Sequence, residues 1–176
     1  MTSILKVDEI QNTDGKTGLV ITPDGSVSGV KYPEAVAPVG RTITSTTMSS
    51  YEEGTWVPSI EGQTTSGTGT YGQREGNYTK TGNLVTCTGY MVLTAHTGTG
   101  NMVLAGLPFT QNGFRESLGT VMSYSLVYTK DQLALLGTRN SKHVRFYQFG
   151  PSTTWSPVSI DTDFHSFFHL TYFTNE

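Results

Sequence analysis

Residues 1–50 contain short β-like runs but too few apolar side chains to form a hydrophobic core of their own. Asp-Gly pairs at residues 14–15 and 24–25 separate these runs, and glycine accommodates the positive φ that tight turns need. Ordering a backbone costs about 1–2 kcal/mol per residue, which so little apolar surface cannot offset. We therefore expect other chains to order this segment. The runs are Ile4–Val7, Gly18–Ile21 and Val27–Val30.

The composition narrows the class of protein. Charged residues make up 14% of the 176 residues, and abundant Gly, Thr and Ser suit β-structure with a neutral polar surface. The net charge is −3 and the 11 Lys and Arg are scattered, so we expect no nucleic-acid partner. The single cysteine, Cys87, lies in an alternating apolar run and is expected to be buried and unpaired, which suits a reducing cytoplasm. Because neither a signal peptide nor a membrane span is recognisable, we expect assembly in the cytoplasm without membrane insertion.

From Tyr51 onward, alternating apolar and polar residues predict one strand after another. The polar run 63–71 between them is predicted to be a surface loop or a sheet edge. Six or more strands at intervals of about 8–12 residues indicate a mostly-β, antiparallel, jelly-roll-like β-sandwich over residues 51–176. The predicted strands are Leu84–Leu93, Asn101–Leu107, Leu118–Tyr128, Leu133–Gly137, His143–Phe149 and Phe164–Phe173.

Two parts of the sequence resemble virion proteins of tailed bacteriophages. The opening Ile4–Gly15, followed by Ile21–Gly25, resembles the leader of many short virion proteins of marine tailed phages, cyanophages among them. Those phages carry this leader on tail fibres and related appendages. The segments Tyr51–Pro58 (YEEGTWVP) and Gly76–Val85 (GNYTKTGNLV) resemble the start of a C-terminal β-domain of phage fibres.

The resemblance implies a homotrimeric, non-enzymatic virion appendage. Residues 1–50 would form an intertwined virion-attachment and trimerisation region with a linker, and residues 51–176 a head that contacts a host surface glycan or protein. A short tail fibre is the favoured interpretation, and a capsid-surface head fibre or decoration protein is the alternative. Independently of the resemblance, strands paired across chains satisfy their backbone hydrogen bonds. The side chains expected to be buried there are Ile4, Val7, Ile10, Leu19, Ile21 and Val27.

A polysaccharide-degrading hydrolase of the tailspike type is the enzymatic alternative. Glycoside hydrolysis needs two carboxylates about 5–10 Å apart, and the candidates are Glu52 with Glu53, Asp161 with Asp163, and Glu116. Adjacent Glu52 and Glu53 point to opposite faces of an extended segment. Asp161 and Asp163 are expected to lie in a solvated turn. We therefore predict no enzyme activity and no cofactor.

The histidines are considered as metal ligands. His165 and His169 share one strand face roughly 13 Å apart, too far to chelate one ion within a chain. Three chains can bring one histidine each to an ion on a threefold axis, but packing beside Phe167, or partial exposure, is the favoured prediction. His96 and His143 lie near turns and are expected to be solvated. We predict no metal site.

Aromatic side chains are candidates for stacking on sugar rings. Trp56 and Trp155 are both interpreted first as packing residues, with Trp155 the better exposed because prolines flank it. The loops expected to touch a receptor are residues 94–100, 111–115 and 150–157. The receptor-contact candidates are His96, Asn112, Phe114 and Trp155.

Overall fold

A computed structural model of the chain describes residues 9–11, 17–21, 27–28 and 50–176. The chain divides into two compact units, Met1–Tyr51 and Glu52–Glu176. In the first unit, strands β1 (Glu9–Gln11), β2 (Thr17–Ile21) and β3 (Val27–Ser28) form an antiparallel sheet in that order. These strands pair within one chain, and pairing between chains stays a prediction.

The backbone register of the first unit can be compared with the apolar residues expected to be buried between chains. Ile10 of β1 lies opposite Leu19 of β2, and Ile21 of β2 lies opposite Val27 of β3. Ile4 and Val7 lie outside the described residues. Four of the six candidates therefore fall on strands of one small sheet.

The second unit is an antiparallel curled sheet of ten strands. Nine of them follow the order β4-β6-β7-β13-β9-β10-β11-β8-β5, and β12 pairs with β11. The described residues include no helix, and hence none long and apolar enough to span a membrane. The strands are β4 (Tyr51–Trp56), β5 (Ser59–Gly62), β6 (Gly69–Thr81), β7 (Leu84–His96), β8 (Met102–Ala105), β9 (Leu118–Tyr124), β10 (Gln132–Gly137), β11 (His143–Phe149), β12 (Ser156–Pro157) and β13 (Phe164–Phe173).

The mostly-β class is confirmed, and each of the six predicted strands is present. Two of them, β11 and β13, have the predicted bounds. β9 ends earlier than predicted, at Tyr124, because Ser125 adopts a positive φ of 66°. The sequence prediction did not include β6, whose first residues fall in the run 63–71 that was expected to be a loop or edge. β5 was likewise missed, since it is only four residues long.

One face of the curled sheet encloses the hydrophobic core. On β13, Phe164, Phe168 and Leu170 are buried, whereas the alternate residues His165 and Phe167 point outward. The core also takes Phe146 from β11 and Cys87 from β7. The predicted burial of Cys87 is confirmed, and that burial raises the pKa of its thiol to about 12.

Two glycines on adjacent strands make room for two aromatic rings at the edge of this core. Gly76 of β6 and Gly89 of β7 are direct cross-strand partners. A Cβ on Gly76 would overlap the Trp56 indole, and a Cβ on Gly89 would overlap the Phe168 ring. The two rings meet edge to face with centroids 5.7 Å apart. Trp56 Nε1 also donates to the carbonyl of Thr88 at 3.1 Å, so the preference for packing over exposure at Trp56 is confirmed.

The two segments that resemble a phage fibre domain pack against each other in the sheet. Trp56 of the first segment covers Gly76 of the second, and the Tyr78 ring lies against Gly54. The hydroxyl of Tyr78 donates to Glu52 Oε1 at 2.5 Å. This hydrogen bond to a carboxylate raises the pKa of Tyr78. The 17 residues between the segments, 59–75, thus separate two halves of one packing unit.

We expect Gly89→Ala to destabilise the protein by about 1–3 kcal/mol, the usual cost of overpacking a core. The added methyl group would displace the Phe168 ring and with it the contact to Trp56. Urea unfolding followed by tryptophan fluorescence measures the loss. The matched control is Thr88→Ala, an exposed position on the same strand, where we expect a change within about 0.5 kcal/mol. Equal stability of the two variants would contradict the packing described.

Candidate functional site

The outer face of the sheet carries large apolar side chains that nothing in the described part of the chain covers. Tyr124, Met122 and Phe167 are 75%, 68% and 52% exposed. Phe167 of β13 lies opposite Tyr90 of β7 on one side and Met122 of β9 on the other. The rings of Tyr90 and Phe167 stack with centroids 4.4 Å apart. We call this surface the central patch and define it as Tyr90, Met122, Tyr124, His165 and Phe167.

The strand-face histidines lie at and beside the central patch. His165 is half-buried, with Nδ1 3.4 Å from the Tyr90 hydroxyl and its ring edge-on to Tyr124 at 5.8 Å. His169 is exposed and lies opposite Thr88 and Thr120. The partial exposure beside Phe167 expected for His165 is therefore observed. Among residues 50–176 and the short described strands before them, no three His, Cys, Asp or Glu cluster as metal ligands would.

A shallow pocket of about 410 Å³ lies on the same outer face, over β9, β10 and β11. Trp155 forms one wall, is 62% exposed and lies 5.2 Å from the Tyr147 ring. The backbone carbonyl of Thr154 accepts a hydrogen bond from Lys130 Nζ, which ties the loop to the turn before β10. We call this cavity the Trp155 pocket. Its principal lining residues are Leu118, Ala134, Leu136, Phe149, Thr154 and Trp155.

Asn112 and Phe114 lie at the opposite end of the sheet from the Trp155 loop. The Asn112 amide donates to the carbonyl of Phe173, the last residue of β13, at 2.7 Å. Phe114 is 78% exposed, and the Arg115 guanidinium lies 5.4 Å from its ring. The Trp155 loop instead follows the end of β11, which pairs with the start of β10. The receptor-contact candidates therefore do not form one site.

His96 is a buried structural residue. Its Nε2 lies 2.9 Å from the carbonyl of Ile60, and its Nδ1 accepts a hydrogen bond from the Gly98 amide at 2.9 Å. The ring thus ties the end of β7 to β5. The prediction that His96 is solvated is wrong, because the turn after β7 folds back over the ring. His143 is half-buried, and burial together with the nearby charge of Arg145 lowers its pKa.

Three of the carboxylates considered for catalysis, Glu52, Asp161 and Glu116, have a local partner. Glu52 accepts the Tyr78 hydrogen bond, and Asp161 accepts the amides of Val127 and Thr162 at 2.8 and 2.7 Å. Glu116 pairs with Arg139 at 2.7 Å, and this bond holds the pKa of Glu116 below its usual value. A general acid needs a raised pKa, so Glu116 is shifted in the opposite direction.

Comparison with known proteins adds no assignment. No protein-family model, no curated protein and no solved structure matches the chain. The function is therefore inferred from the sequence resemblance and from the surface of this molecule.

The central patch is not among the residues predicted from the sequence to be functional. The alternation of β9 and β13 assigns one parity to the core, but the other parity also carries large apolar residues, Met122 and Tyr124 on β9 and Phe167 on β13. Such two-sided apolar strands are the signal for a sheet covered on both faces. Phe167 and Met122, on the outward-facing positions of β13 and β9, are the residues that such a covering partner would bury.

We expect His96→Ala to destabilise the protein by about 1–3 kcal/mol, because the Ile60 carbonyl and the Gly98 amide lose a buried partner. His169→Ala, on the exposed face of β13, is the matched control with an expected change within about 0.5 kcal/mol. Thermal and urea unfolding measure both variants. A His96 variant as stable as the control would show that the ring has no structural role.

Proposed function

We propose that this chain is a non-enzymatic structural protein of a phage virion, a short trimeric tail fibre. Residues 1–50 attach it to the virion and hold the copies together. Residues 51–176, with the curled sheet as a sandwich-like head, contact a glycan or protein of the host surface. The observation that carries the proposal is the exposed apolar outer face of the sheet, since such faces mark binding and assembly surfaces.

The Trp155 pocket supports a binding role for the head. Its volume of about 410 Å³ lies within the range of about 300–1,000 Å³ that is usual for ligand sites. An exposed indole above aliphatic walls suits the apolar face of a sugar ring. The hydroxyl of Thr153 accepts a hydrogen bond from the backbone amide of Gly150 and donates one to its carbonyl. These two hydrogen bonds fix the conformation of the loop that carries Trp155.

The packing of β4 on β6 supports the resemblance from which the proposal starts. The two segments lie on neighbouring strands and contact each other between Trp56 and Gly76, and between Gly54 and Tyr78.

The assignment to a virion is tested by locating the protein. Antibodies raised against the full-length chain are expected to label particles at the tail, and light scattering of the purified protein to give about three times 19.1 kDa. Virions produced by a phage that encodes only a copy lacking residues 1–50 are expected to lose the label, because the truncated protein would not attach. Labelling of the capsid surface would replace the tail fibre by the head-fibre alternative. Particles without label would refute the virion role.

Trp155→Ala is expected to weaken binding of the full-length protein to host cells by about 5–30-fold, the equivalent of about 1–2 kcal/mol. Trp155 is exposed, so its loss leaves the fold intact, which circular dichroism checks. Phe114→Ala, an equally exposed aromatic at the other end of the sheet, is the matched control and is expected to bind normally.

Weaker binding by the Phe114 variant alone would move the host contact to that end of the sheet. Incubation of wild-type protein with host polysaccharide, assayed for new reducing ends, tests the hydrolase alternative in the same preparation. Release of reducing ends would overturn the non-enzymatic assignment.

A further inference from the structure

We propose that copies of this chain pack together through the central patch, which lies against their shared rotation axis. This inference rests on the proposed trimer and assigns the surface that holds the heads to one another. It concerns the sheet of residues 51–176, whereas the expected intertwining concerns residues 1–50.

The first observation is that three adjacent strands carry no Asp, Glu, Lys or Arg. Strands β7, β13 and β9 are hydrogen-bonded neighbours in the middle of the sheet, and all their residues are uncharged apart from histidine. On one side charged side chains begin again at β6, where Glu75 lies opposite Tyr90. On the other side β10 is uncharged as well, and the next charged side chain is Arg145 of β11.

The absence of charge on these strands favours a second copy over a different protein. Close to a threefold axis a side chain approaches its own counterparts in the other copies, so a charge placed at the axis would face the same charge. Like charges brought together across an interface are strongly unfavourable. A different partner imposes no such limit, because it can match a charge with an opposite one. The central patch carries no Asp, Glu, Lys or Arg, as a self-contact at an axis requires.

The side chains of the central patch suit the packing of three sheet faces around an axis. Packed sheet faces interdigitate their side chains across about 10 Å. The stacked rings of Tyr90 and Phe167 present a flat surface, and Met122 is a flexible side chain that fills irregular gaps. Tyr124 keeps a hydroxyl that a neighbouring copy or water can satisfy.

A patch without Asp, Glu, Lys or Arg is suited to copies that are already held together elsewhere in the chain. Such a patch provides no electrostatic steering, so separate chains would associate through it slowly. Copies joined through residues 1–50 are at a high effective concentration and need no steering. The two parts of the chain thus have complementary tasks in one assembly.

Cysteine cross-linking in the full-length protein tests the proposal. In Met122→Cys, a short bismaleimide is expected to link copies of the chain into products resolved on a denaturing gel. Cys87 provides little background, because it is fully buried. The matched control is Thr79→Cys, an exposed position on the outer face of β6, and we expect about tenfold less product from it.

A charge placed in the patch provides the second arm. Adding Phe167→Glu to Met122→Cys is expected to lower the yield of cross-linked product about tenfold, because each carboxylate would face its counterpart. Adding Thr79→Glu instead is expected to leave the yield unchanged. Phe167 is half exposed, and circular dichroism confirms that each variant is folded.

The outcomes separate this inference from the proposed function. If light scattering gives a trimer but Met122→Cys links no better than the control, the patch assignment is refuted and the trimer stands. A wild-type monomer would refute the trimer and the patch together. Linking of Met122→Cys to another virion protein, without a self-product, would assign the patch to a different partner and overturn the proposal.

Discussion

The contact of Trp56 and Phe168 with the paired glycines Gly76 and Gly89 holds one side of this sheet in register. Each ring occupies the space that a Cβ of the glycine on the neighbouring strand would fill. A shift of β6 against β7 by one residue would place side chains under both rings and turn every alternating residue to the wrong face. The contact joins β4, β6, β7 and β13, which together form one side of the sheet. The outer face that we assign to assembly exists because this side is fixed.

Strand β13 connects the core to the outer surface. Phe164, Phe168 and Leu170 are buried inside the curl, while Phe167 stacks on Tyr90 outside it. Because successive side chains of a strand point to opposite faces, the same ten residues serve stability on one side and contact on the other. A change in the register of β13 would therefore alter the hydrophobic core and the outer surface at once.

Alternation in the sequence identifies strands well where one parity is apolar, as in β7 and β11, because burial on one face imposes a period of two. It does not identify β6, whose exposed residues include Arg74, Glu75 and Asn77. Its inward positions are filled by Gly76, Tyr78 and Lys80, which show no apolar period. β6 is held in the sheet by twelve residue pairs with β7. The sequence of one strand alone gives no sign of such pairing.

The candidate site is less predictable from sequence than the strands, for a related reason. The role of His96 depends on Ile60, 36 positions earlier in the chain, and the placement of Trp155 depends on Lys130 and Tyr147. Such partners become known only once the strands are paired. Phe114 was recognisable as exposed because polar and glycine residues surround it, and it is exposed.

The lack of charge on β7, β13 and β9 has a consequence for the response of the molecule to salt. Ion pairs at a surface weaken as ionic strength rises, because mobile ions screen them. Packing on either side of these three strands has no Asp, Glu, Lys or Arg to screen. Salts that are excluded from protein surfaces strengthen apolar burial instead. We therefore expect a contact made through the outer face of these three strands to weaken little as the salt concentration rises.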